Sequence, residues 1–332
     1  MQIAQSVFDL IGRTPLLRAA RFAPGCNLLF KCEFMNPGGS VKDRIGFAMI
    51  EDAERRGLLR PGGTIVEATA SNTGLALAMA AAIKGYKLVT VMTTKTSPEK
   101  VALMRAVGAE VVIVPREAPL DSPDNFQNKA RAIAAERPGA WWSDQFSNAA
   151  NVAVHYETTA REIWEQTDGQ VEAIVAGVGT GGSLTGIGRF LKEKKPSAKV
   201  VLADPIGSVL ANLVEGREPG EPGPYQVEGM GGVRAPANLD LSIVDVAIRV
   251  ADRESFDTAA ELFRSEGVFV GGSSGCIAAA ARRYCREVAL APAASCPDAS
   301  PGGPCVVALL TDGGRGYLST VYDHDWRDEN GV

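Results

Sequence analysis

The chain has 332 residues, more than a single hydrophobic core of ordinary size uses, and this length suits two lobes. Its 45% hydrophobic and 22% charged residues are typical of a folded globular protein and exclude general disorder. The net charge of −5, spread without long basic runs, argues against nucleic acid or an anionic membrane as a partner.

Metal and thiol chemistry are restricted by the small number of ligating residues. The two histidines, His155 and His324, cannot form a three-histidine metal site. None of the cysteines lies in a C-x-x-C pair, so we expect neither a metal site nor a redox motif, but free thiols. The first residues lack a signal-peptide pattern, and no apolar run approaches the ~20 residues that span a bilayer. We therefore expect a cytoplasmic protein.

Short β-branched runs alternate with helical patterns along the chain, which is typical of parallel β-α-β units. The predicted strands are residues 64–67, 87–92, 110–114, 173–176, 199–203 and 305–310. The predicted helices are residues 45–56, 74–84, 98–107, 125–136, 158–166, 184–193 and 255–265. Several strands are apolar on both faces, which indicates helices on both sides of a sheet. Residues 291–304, rich in alanine, proline and serine, are predicted to be a surface loop.

The segment NPGGSVKDR, residues 36–44, precedes the first long helical pattern. Gly38 and Gly39 permit close backbone approach, and Lys42 falls at the start of the helix. The positive end of a helix dipole disfavours a protonated amine, so Lys42 is a candidate Schiff-base nucleophile, which must be partly neutral to react. Taken alone, the segment is also compatible with an ordinary surface lysine.

A second polar segment, EATASNTG at residues 67–74, joins a predicted strand to an alanine-rich helix. Its hydroxyl and amide side chains and its backbone N–H groups lie at a helix N-terminus, which is a suitable cradle for a carboxylate or a phosphate. An ordinary N-cap turn is the alternative, although one serine would suffice for a cap.

The segment AGVGTGGSLTG, residues 176–186, again joins a strand to a helix. Gly177, Gly179 and Gly182 satisfy G-x-G-x-x-G, and Asp204 stands at the end of the next strand, so a dinucleotide is a legitimate candidate ligand. The hydroxyls and amides of this loop also suit a single phosphate monoester. A purely structural glycine turn is the remaining alternative.

Two further segments, GGSSG at residues 271–275 and LTDGGRGY at residues 310–317, follow predicted β-structure. The second places Asp312 just beyond the carboxyl end of the last strand, where α/β sheets bind their ligands. Both segments could also be simple turns.

In their order and separation these segments resemble the cysteine synthase and cystathionine β-synthase family, which are fold-type II pyridoxal-phosphate enzymes. The resemblance runs from residues 14–16 to Trp326, nearly the whole chain. It implies an α/β fold of two three-layer αβα lobes with mostly parallel twisted sheets, similar to the tryptophan synthase β-subunit. It also implies a large cofactor-binding domain, residues 1–46 and 149–332. A small mobile domain, residues 47–148, would carry the substrate-carboxylate loop.

The same resemblance implies a role for each matching residue. Lys42 corresponds to the catalytic lysine that carries pyridoxal 5′-phosphate, and Asn72 to the residue that contacts the pyridine 3′-oxygen. The cofactor phosphate would be held by Gly179, Thr180, Gly181, Gly182 and Ser183. The substrate carboxylate would be held by Thr69, Ser71, Asn72, Thr73 and Gln145.

Two departures from the family pattern concern the site. The usual Thr-Ser-Gly-Asn-Thr is TASNT at residues 69–73, so the hydroxyl is lost at Ala70 and stands one residue later, at Ser71. The serine that faces the pyridine nitrogen falls near Asp312 and Gly313, where no serine stands. Asp312 facing that nitrogen would favour its protonated form, whereas Gly313 would leave it unpaired or bound to water.

Stretches such as KCEF, residues 31–34, and VEGMG, residues 227–231, are more similar to cystathionine β-synthase catalytic cores than to cysteine synthases. We therefore expect a catalytic core without the C-terminal regulatory domain pair of some relatives. The family resemblance also indicates a homodimer.

The implied function is β-replacement on L-serine or an O-activated L-serine such as O-acetylserine. A thiol would be the nucleophile, with sulfide giving cysteine or homocysteine giving cystathionine. Alternatives are an amine nucleophile, as in a diaminopropionate-type pathway, or serine dehydration. From other classes, a catalytically silent regulatory relative is suggested only by Ala70 and Ser71. A nicotinamide-dependent oxidoreductase is suggested only by the lone G-x-G-x-x-G.

Overall fold

The computed structural model describes residues 3–116, 118–290 and 303–332, and the chain divides into two compact units. The smaller unit contains residues 1–11 and 36–154, and the larger unit contains residues 12–35 and 155–332. Most of the predicted loop at residues 291–304 lies outside the described part of the chain.

The strands, in chain order, are β1 (Leu16–Arg18), β2 (Leu28–Cys32), β3 (Thr64–Ala68), β4 (Lys87–Thr93), β5 (Glu110–Val114), β6 (Ala140–Trp142), β7 (Val171–Gly177), β8 (Lys199–Pro205), β9 (Val246–Val250) and β10 (Cys305–Leu310). The α-helices are α1 (Lys42–Arg55), α2 (Asn72–Lys84), α3 (Pro98–Ala106), α4 (Phe126–Glu136), α5 (Ala149–Val154), α6 (Ala160–Gln166), α7 (Gly182–Lys194), α8 (Leu210–Val214), α9 (Asp252–Glu266), α10 (Gly272–Leu290) and α11 (His324–Glu329).

The smaller unit is built on a parallel four-stranded sheet in the order β5-β4-β3-β6. Alternate residues of β3 enter different cores, because successive side chains of a strand point to opposite faces. Ile65 packs with Ile45 of α1 and Leu77 of α2, whereas Val66 packs with Ala130 of α4. Helices therefore cover both faces, which confirms the predicted three-layer arrangement for this unit.

The larger unit is built on a six-stranded sheet in the order β1-β2-β10-β7-β8-β9. Only β1 runs antiparallel to its neighbour, and the other pairs are parallel. The successive residues Ile174 and Val175 are both fully buried, so both faces of the central strand β7 are covered. Helix α7 packs on β7 and β8, and α10 packs on β7, β8 and β10. This arrangement agrees with the α/β fold that the resemblance implies.

The predicted strands and helices are present, each strand to within one or two residues. Sequence reasoning missed β1, β2, β6 and β9, which are short or lie at or near a sheet edge. It also missed α10, because GGSSG reads as a turn. The structure begins a helix there, with Gly275 packed so closely on α9 that a Cβ would lie 3.0 Å from the Ala259 Cβ.

The division into units falls elsewhere than the predicted boundaries at residues 46–47 and 148–149. Helix α1 is continuous from Lys42 to Arg55 and packs along α2, so the smaller unit resumes at Asn36. At Gly46 the two helices are so close that a Cβ would lie 2.6 Å from the Ala76 Cβ. The start of α1, with Lys42, is therefore part of the smaller unit.

The described cysteines are all thiols rather than disulfides, in agreement with the sequence analysis. Burial raises the pKa of Cys276 and of Cys285 to about 12, so neither is a thiolate near neutral pH. In the described ranges, no helix has both the length and the apolar character needed to cross a bilayer.

Candidate active site

Lys42 is the first residue of α1 and follows a tight turn. Gly39 adopts φ +83°, a conformation that favours glycine. The Gly38 N–H donates to Asp43 Oδ2 at 2.5 Å, and a side chain at Gly38 would collide with that carboxylate. The Lys42 N–H donates to Ser40 Oγ at 3.2 Å. These contacts fix Lys42, half-buried, at the positive end of the helix.

Residues 69–73, which are the turn after β3 and the first two residues of α2, are called the hydroxyl loop below. Thr69 Oγ1 accepts hydrogen bonds from the Ser71 N–H at 3.1 Å and the Gly74 N–H at 3.3 Å. Thr69, Ser71 and Thr73 are only 3%, 4% and 2% exposed, and Asn72 is half-buried. The loop therefore carries several polar groups into a nearly dry region at the start of a 13-residue helix.

The structure brings Gln145 into contact with this loop. Thr73 Oγ1 donates to Gln145 Oε1 at 2.6 Å across 72 residues of sequence. Gln145 Nε2 donates to the Ala68 carbonyl at 2.9 Å. The contact exists because β6 pairs with β3 in parallel register, so their carboxyl ends lie at the same edge of the sheet.

Beneath the hydroxyl loop lies a buried acid that sequence reasoning did not single out. Glu67 is fully buried near the end of β3; its Oε2 accepts from Ser143 Oγ at 2.5 Å and from the Gln145 N–H at 3.2 Å. Burial raises the pKa of Glu67 to about 8, although both hydrogen bonds lower it. The side chain therefore holds a proton near neutral pH. A charged residue in a mostly apolar strand was the feature of the sequence that could have indicated this buried acid.

Residues 179–183, which are the end of the turn after β7 and the first two residues of α7, are called the glycine loop. A Cβ at Gly179 would collide with the Gly229 carbonyl oxygen, and Gly181 adopts φ +85° with only 2.7 Å from its ideal Cβ to the Leu239 nitrogen. No side chain caps α7. The first N–H groups of a 13-residue helix, with buried Thr180 and half-buried Ser183 beside them, form a site that fits a phosphate monoester.

Asp204, the acidic residue of the dinucleotide hypothesis, has another role in the structure. Its Oδ2 accepts from the Ala211 N–H at 2.8 Å, in the first turn of α8, and burial raises the pKa of its carboxyl. The side chain therefore caps α8, an arrangement that favours the phosphate-monoester interpretation of the glycine loop over the dinucleotide one.

Asp312 lies just after the carboxyl end of β10 and is 4% exposed. Tyr317 donates its hydroxyl hydrogen to Asp312 Oδ2 at 2.6 Å. Next to it, Ser273 Oγ lies 2.8 Å from Thr311 Oγ1, and Ser274 Oγ accepts from the Thr311 N–H at 2.9 Å. The structure thus joins the GGSSG and LTDGGRGY segments into one polar cluster, which the sequence analysis treated as two separate turns.

The predicted site residues fall into two groups. Lys42, the hydroxyl loop and Gln145 belong to the smaller unit, and the glycine loop and Asp312 belong to the larger unit. The first group can move a proton and bind a carboxylate, and the second can bind a phosphate.

Comparison with known proteins identifies the family to which the chain belongs. Residues 7–293 match the protein family described as pyridoxal-phosphate dependent enzymes. Proteins named cystathionine beta-synthase from Apis mellifera, Oryctolagus cuniculus and Dictyostelium discoideum are 40%, 43% and 40% identical over 99% of this chain. The chain spans 64%, 58% and 64% of their respective lengths. By a match that covers most of its length, the chain belongs to the pyridoxal-phosphate dependent enzyme family.

Proposed function

We propose that the chain catalyses β-replacement on L-serine or an O-activated L-serine, with a thiol as the nucleophile. The observation that carries this proposal is the hydrogen bond between Thr73 and Gln145, since it joins the two expected carboxylate-binding elements. The name of the relatives favours homocysteine as the thiol and cystathionine as the product.

The residues available for the cofactor fit pyridoxal phosphate. The glycine loop would hold the phosphate through backbone N–H groups and the hydroxyls of Thr180 and Ser183. Lys42 would carry the cofactor, and Asn72 would contact the ring oxygen. Asp312, held by Tyr317, and Ser273 are the candidates for hydrogen bonding to the ring nitrogen. When bound, the cofactor supplies an electron sink for the charge left when a proton leaves the substrate Cα.

Lys42 is proposed to move the proton at the substrate Cα. A neutral amine can accept that proton and later return one, and the start of α1 disfavours the charged ammonium. The tight turn at residues 38–40 fixes the position of the Lys42 backbone, from which the amine extends. Proton transfer requires such a fixed position.

The hydroxyl loop and Gln145 are proposed to bind the substrate carboxylate. Their burial excludes water, which strengthens hydrogen bonds to an anion and limits hydrolysis of the reactive species after the leaving group departs. Glu67 supports this arrangement from below by accepting the Gln145 N–H.

The test is product analysis with the protein loaded with pyridoxal phosphate. L-Serine, O-acetyl-L-serine and O-phospho-L-serine are offered separately, each with homocysteine, sulfide or an amine, and products are identified by mass spectrometry. We expect cystathionine or cysteine, and a loss of at least about 1,000-fold in turnover for Lys42→Ala. The matched control, Lys87→Ala on an exposed residue of β4, should keep wild-type turnover. Amine adducts or pyruvate as the main products, or no product at all, would contradict the proposal.

A further inference from the structure

Glu67 is a buried acid without a counter-ion among the described residues. It is fully buried near the end of β3, and its side chain lies on the same face of the sheet as Ile65, because alternate residues of a strand point the same way. In the described part of the chain, no lysine, arginine or histidine forms an ion pair with it. Asp144, in the turn after β6, is the charged group with the strongest effect on Glu67, and it has the same sign.

Apart from Asp144, the groups next to Glu67 from the neighbouring elements are neutral. Thr90 is the partner of Glu67 in the register of β3 with β4, and the buried Thr90 Oγ1 has no hydrogen-bond partner among the described residues. On the same face of the sheet, α1 and α2 contribute Ile45 and Leu77 to an apolar core, whereas α4 packs on the opposite face. Asp144 is therefore the titratable group that faces Glu67, and it disfavours a second negative charge.

The two carboxyl oxygens of Glu67 have different surroundings. Oε2 accepts from Ser143 Oγ at 2.5 Å and from the Gln145 N–H at 3.2 Å. Oε1 is buried and, within the described ranges, has no hydrogen-bond partner. An unpaired neutral O–H costs less free energy than an unpaired anionic oxygen, so this geometry suits the neutral acid. The direction of the pKa, which burial raises to about 8, agrees with that conclusion.

Glu67 is connected to the hydroxyl loop through Gln145. Besides its N–H bond to Glu67, Gln145 accepts from Thr73 Oγ1 at 2.6 Å and donates from Nε2 to the Ala68 carbonyl at 2.9 Å. Asn151 Nδ2 donates to the Gln145 carbonyl at 2.7 Å. Of these contacts, the one to Glu67 is made with a group that can lose a proton. A charge on Glu67 would therefore lie one hydrogen bond beneath Gln145.

We propose that Glu67 is a positioning residue that sets an upper pH limit on substrate binding. As a neutral acid it holds the Gln145 backbone, and after losing its proton it places a negative charge beneath a site that receives an anion. The proposal rests on the proposed function, because that function supplies the amino-acid ligand. It adds a control by pH that the direct contacts to a substrate carboxylate do not provide.

Two substitutions separate the proton from the hydrogen bonds. Glu67→Ala removes the acceptor of both bonds, and we expect it to weaken L-serine binding about 10-fold at about pH 7. Glu67→Gln keeps an oxygen that can accept both bonds but has no proton to lose, so it should recover most of that affinity. The readout is the KM, with kcat within about 3-fold, because Glu67 acts on binding through Gln145.

The pH dependence is the result that a purely structural role would not produce. Between about pH 7 and about pH 9.5, L-serine affinity of the wild type should fall about 10-fold relative to Glu67→Gln, since one titrating group changes affinity by at most about 10-fold per pH unit. The ratio of the two proteins removes the titration of L-serine itself. Glu110→Gln is the matched control, because it makes the same change at an exposed acid of β5 and should follow the wild type at every pH.

The experiment measures the dissociation constant of L-serine by visible absorption of the pyridoxal-phosphate-loaded proteins across this pH range, together with KM and kcat. The same pH dependence in the wild type and in Glu67→Gln would overturn the inference, and this comparison holds even where Glu67→Ala does not fold. If the affinities diverge above pH 8 as expected, yet no thiol gives a product, the inference stands and the proposed function fails. A wild type that does not bind L-serine at any pH would overturn both.

Discussion

The hydroxyl loop and the glycine loop both join a strand to a 13-residue helix and include the first two residues of that helix. They differ in the groups that they offer to a ligand. The glycine loop excludes side chains at Gly179 and Gly181 and presents backbone N–H groups, whereas the hydroxyl loop presents side chains that are hydrogen-bonded to its own backbone and to Gln145. The comparison indicates that backbone donors suit a permanently held phosphate, and side-chain donors suit a substrate that must enter and leave.

The largest expected effect concerns the glycine loop. Gly181→Ala places a Cβ 2.7 Å from the Leu239 nitrogen at a positive φ, so the loop must shift. We expect a loss of about 3 kcal/mol of stability and roughly 100-fold in pyridoxal phosphate affinity. Denaturation and cofactor titration measure the two losses.

The control for this change is Gly85→Ala. Gly85 adopts φ +76° at the end of α2 but has open space around the position of a Cβ. It should therefore cost only about 1 kcal/mol, from the positive φ alone, and leave cofactor affinity unchanged. Equal costs at the two positions would show that close packing of the glycine loop is unimportant.

An intermediate effect concerns the acid beneath the hydroxyl loop. Because burial raises the pKa of Glu67 to about 8 from 4.5, the folded protein keeps a proton that the unfolded chain loses between those values. The free energy of unfolding should therefore fall as pH rises through this window, by at most about 1.4 kcal/mol per pH unit. Glu67→Gln should flatten this slope. The stability of this variant relative to the wild type should therefore be higher at pH 9 than at pH 5.

Urea denaturation at a series of pH values measures this slope. Glu110→Gln is the control, because the hydrogen bond from Arg137 lowers the pKa of the Glu110 carboxyl, which is ionised throughout the same window. It should leave the slope unchanged. An unaltered slope in Glu67→Gln would mean that Glu67 is ionised in the folded protein.

The smallest expected effect compares the two loops directly. Thr73→Val removes the donor to Gln145 with little change in volume and should raise the KM for the amino-acid substrate about 10-fold, with cofactor affinity unchanged. Thr180→Val makes the same change in the glycine loop and should lower cofactor affinity instead. Steady-state kinetics and cofactor titration distinguish the two results, and identical profiles for both variants would remove the distinction between the loops.

Sequence reasoning located both loops because a strand pattern, a polar turn and a helix pattern can each be recognised locally. Prediction of β5 and β10 was accurate to the residue, since each is a short apolar run with clear ends. Helix α10 was missed because the segment at its start, GGSSG, has turn composition, whereas close packing on α9 is a tertiary effect.

The contacts that support the hydroxyl loop could not be predicted from local sequence patterns. The contact between Thr73 and Gln145 depends on the register of β3 with β6, which no local pattern specifies. The protonated state of Glu67 follows from its complete burial, and the backbone strain at Ser71 follows from its φ of +136°, which residues other than glycine rarely adopt. A serine in place of a family glycine gave only an indirect sign of that strain.

The close crossing of α1 and α2 at Gly46 and Ala76 has a consequence for how the proposed catalytic residues are spaced. Lys42 begins one helix and Asn72 begins the other, and no flexible side chain separates the helices where they cross. The offset between Lys42, the proposed reactive amine, and Asn72 in the hydroxyl loop is thus built into the helix pair before any ligand arrives. Position 46 lies one helical turn after Lys42, and even one methyl group added there would alter that offset.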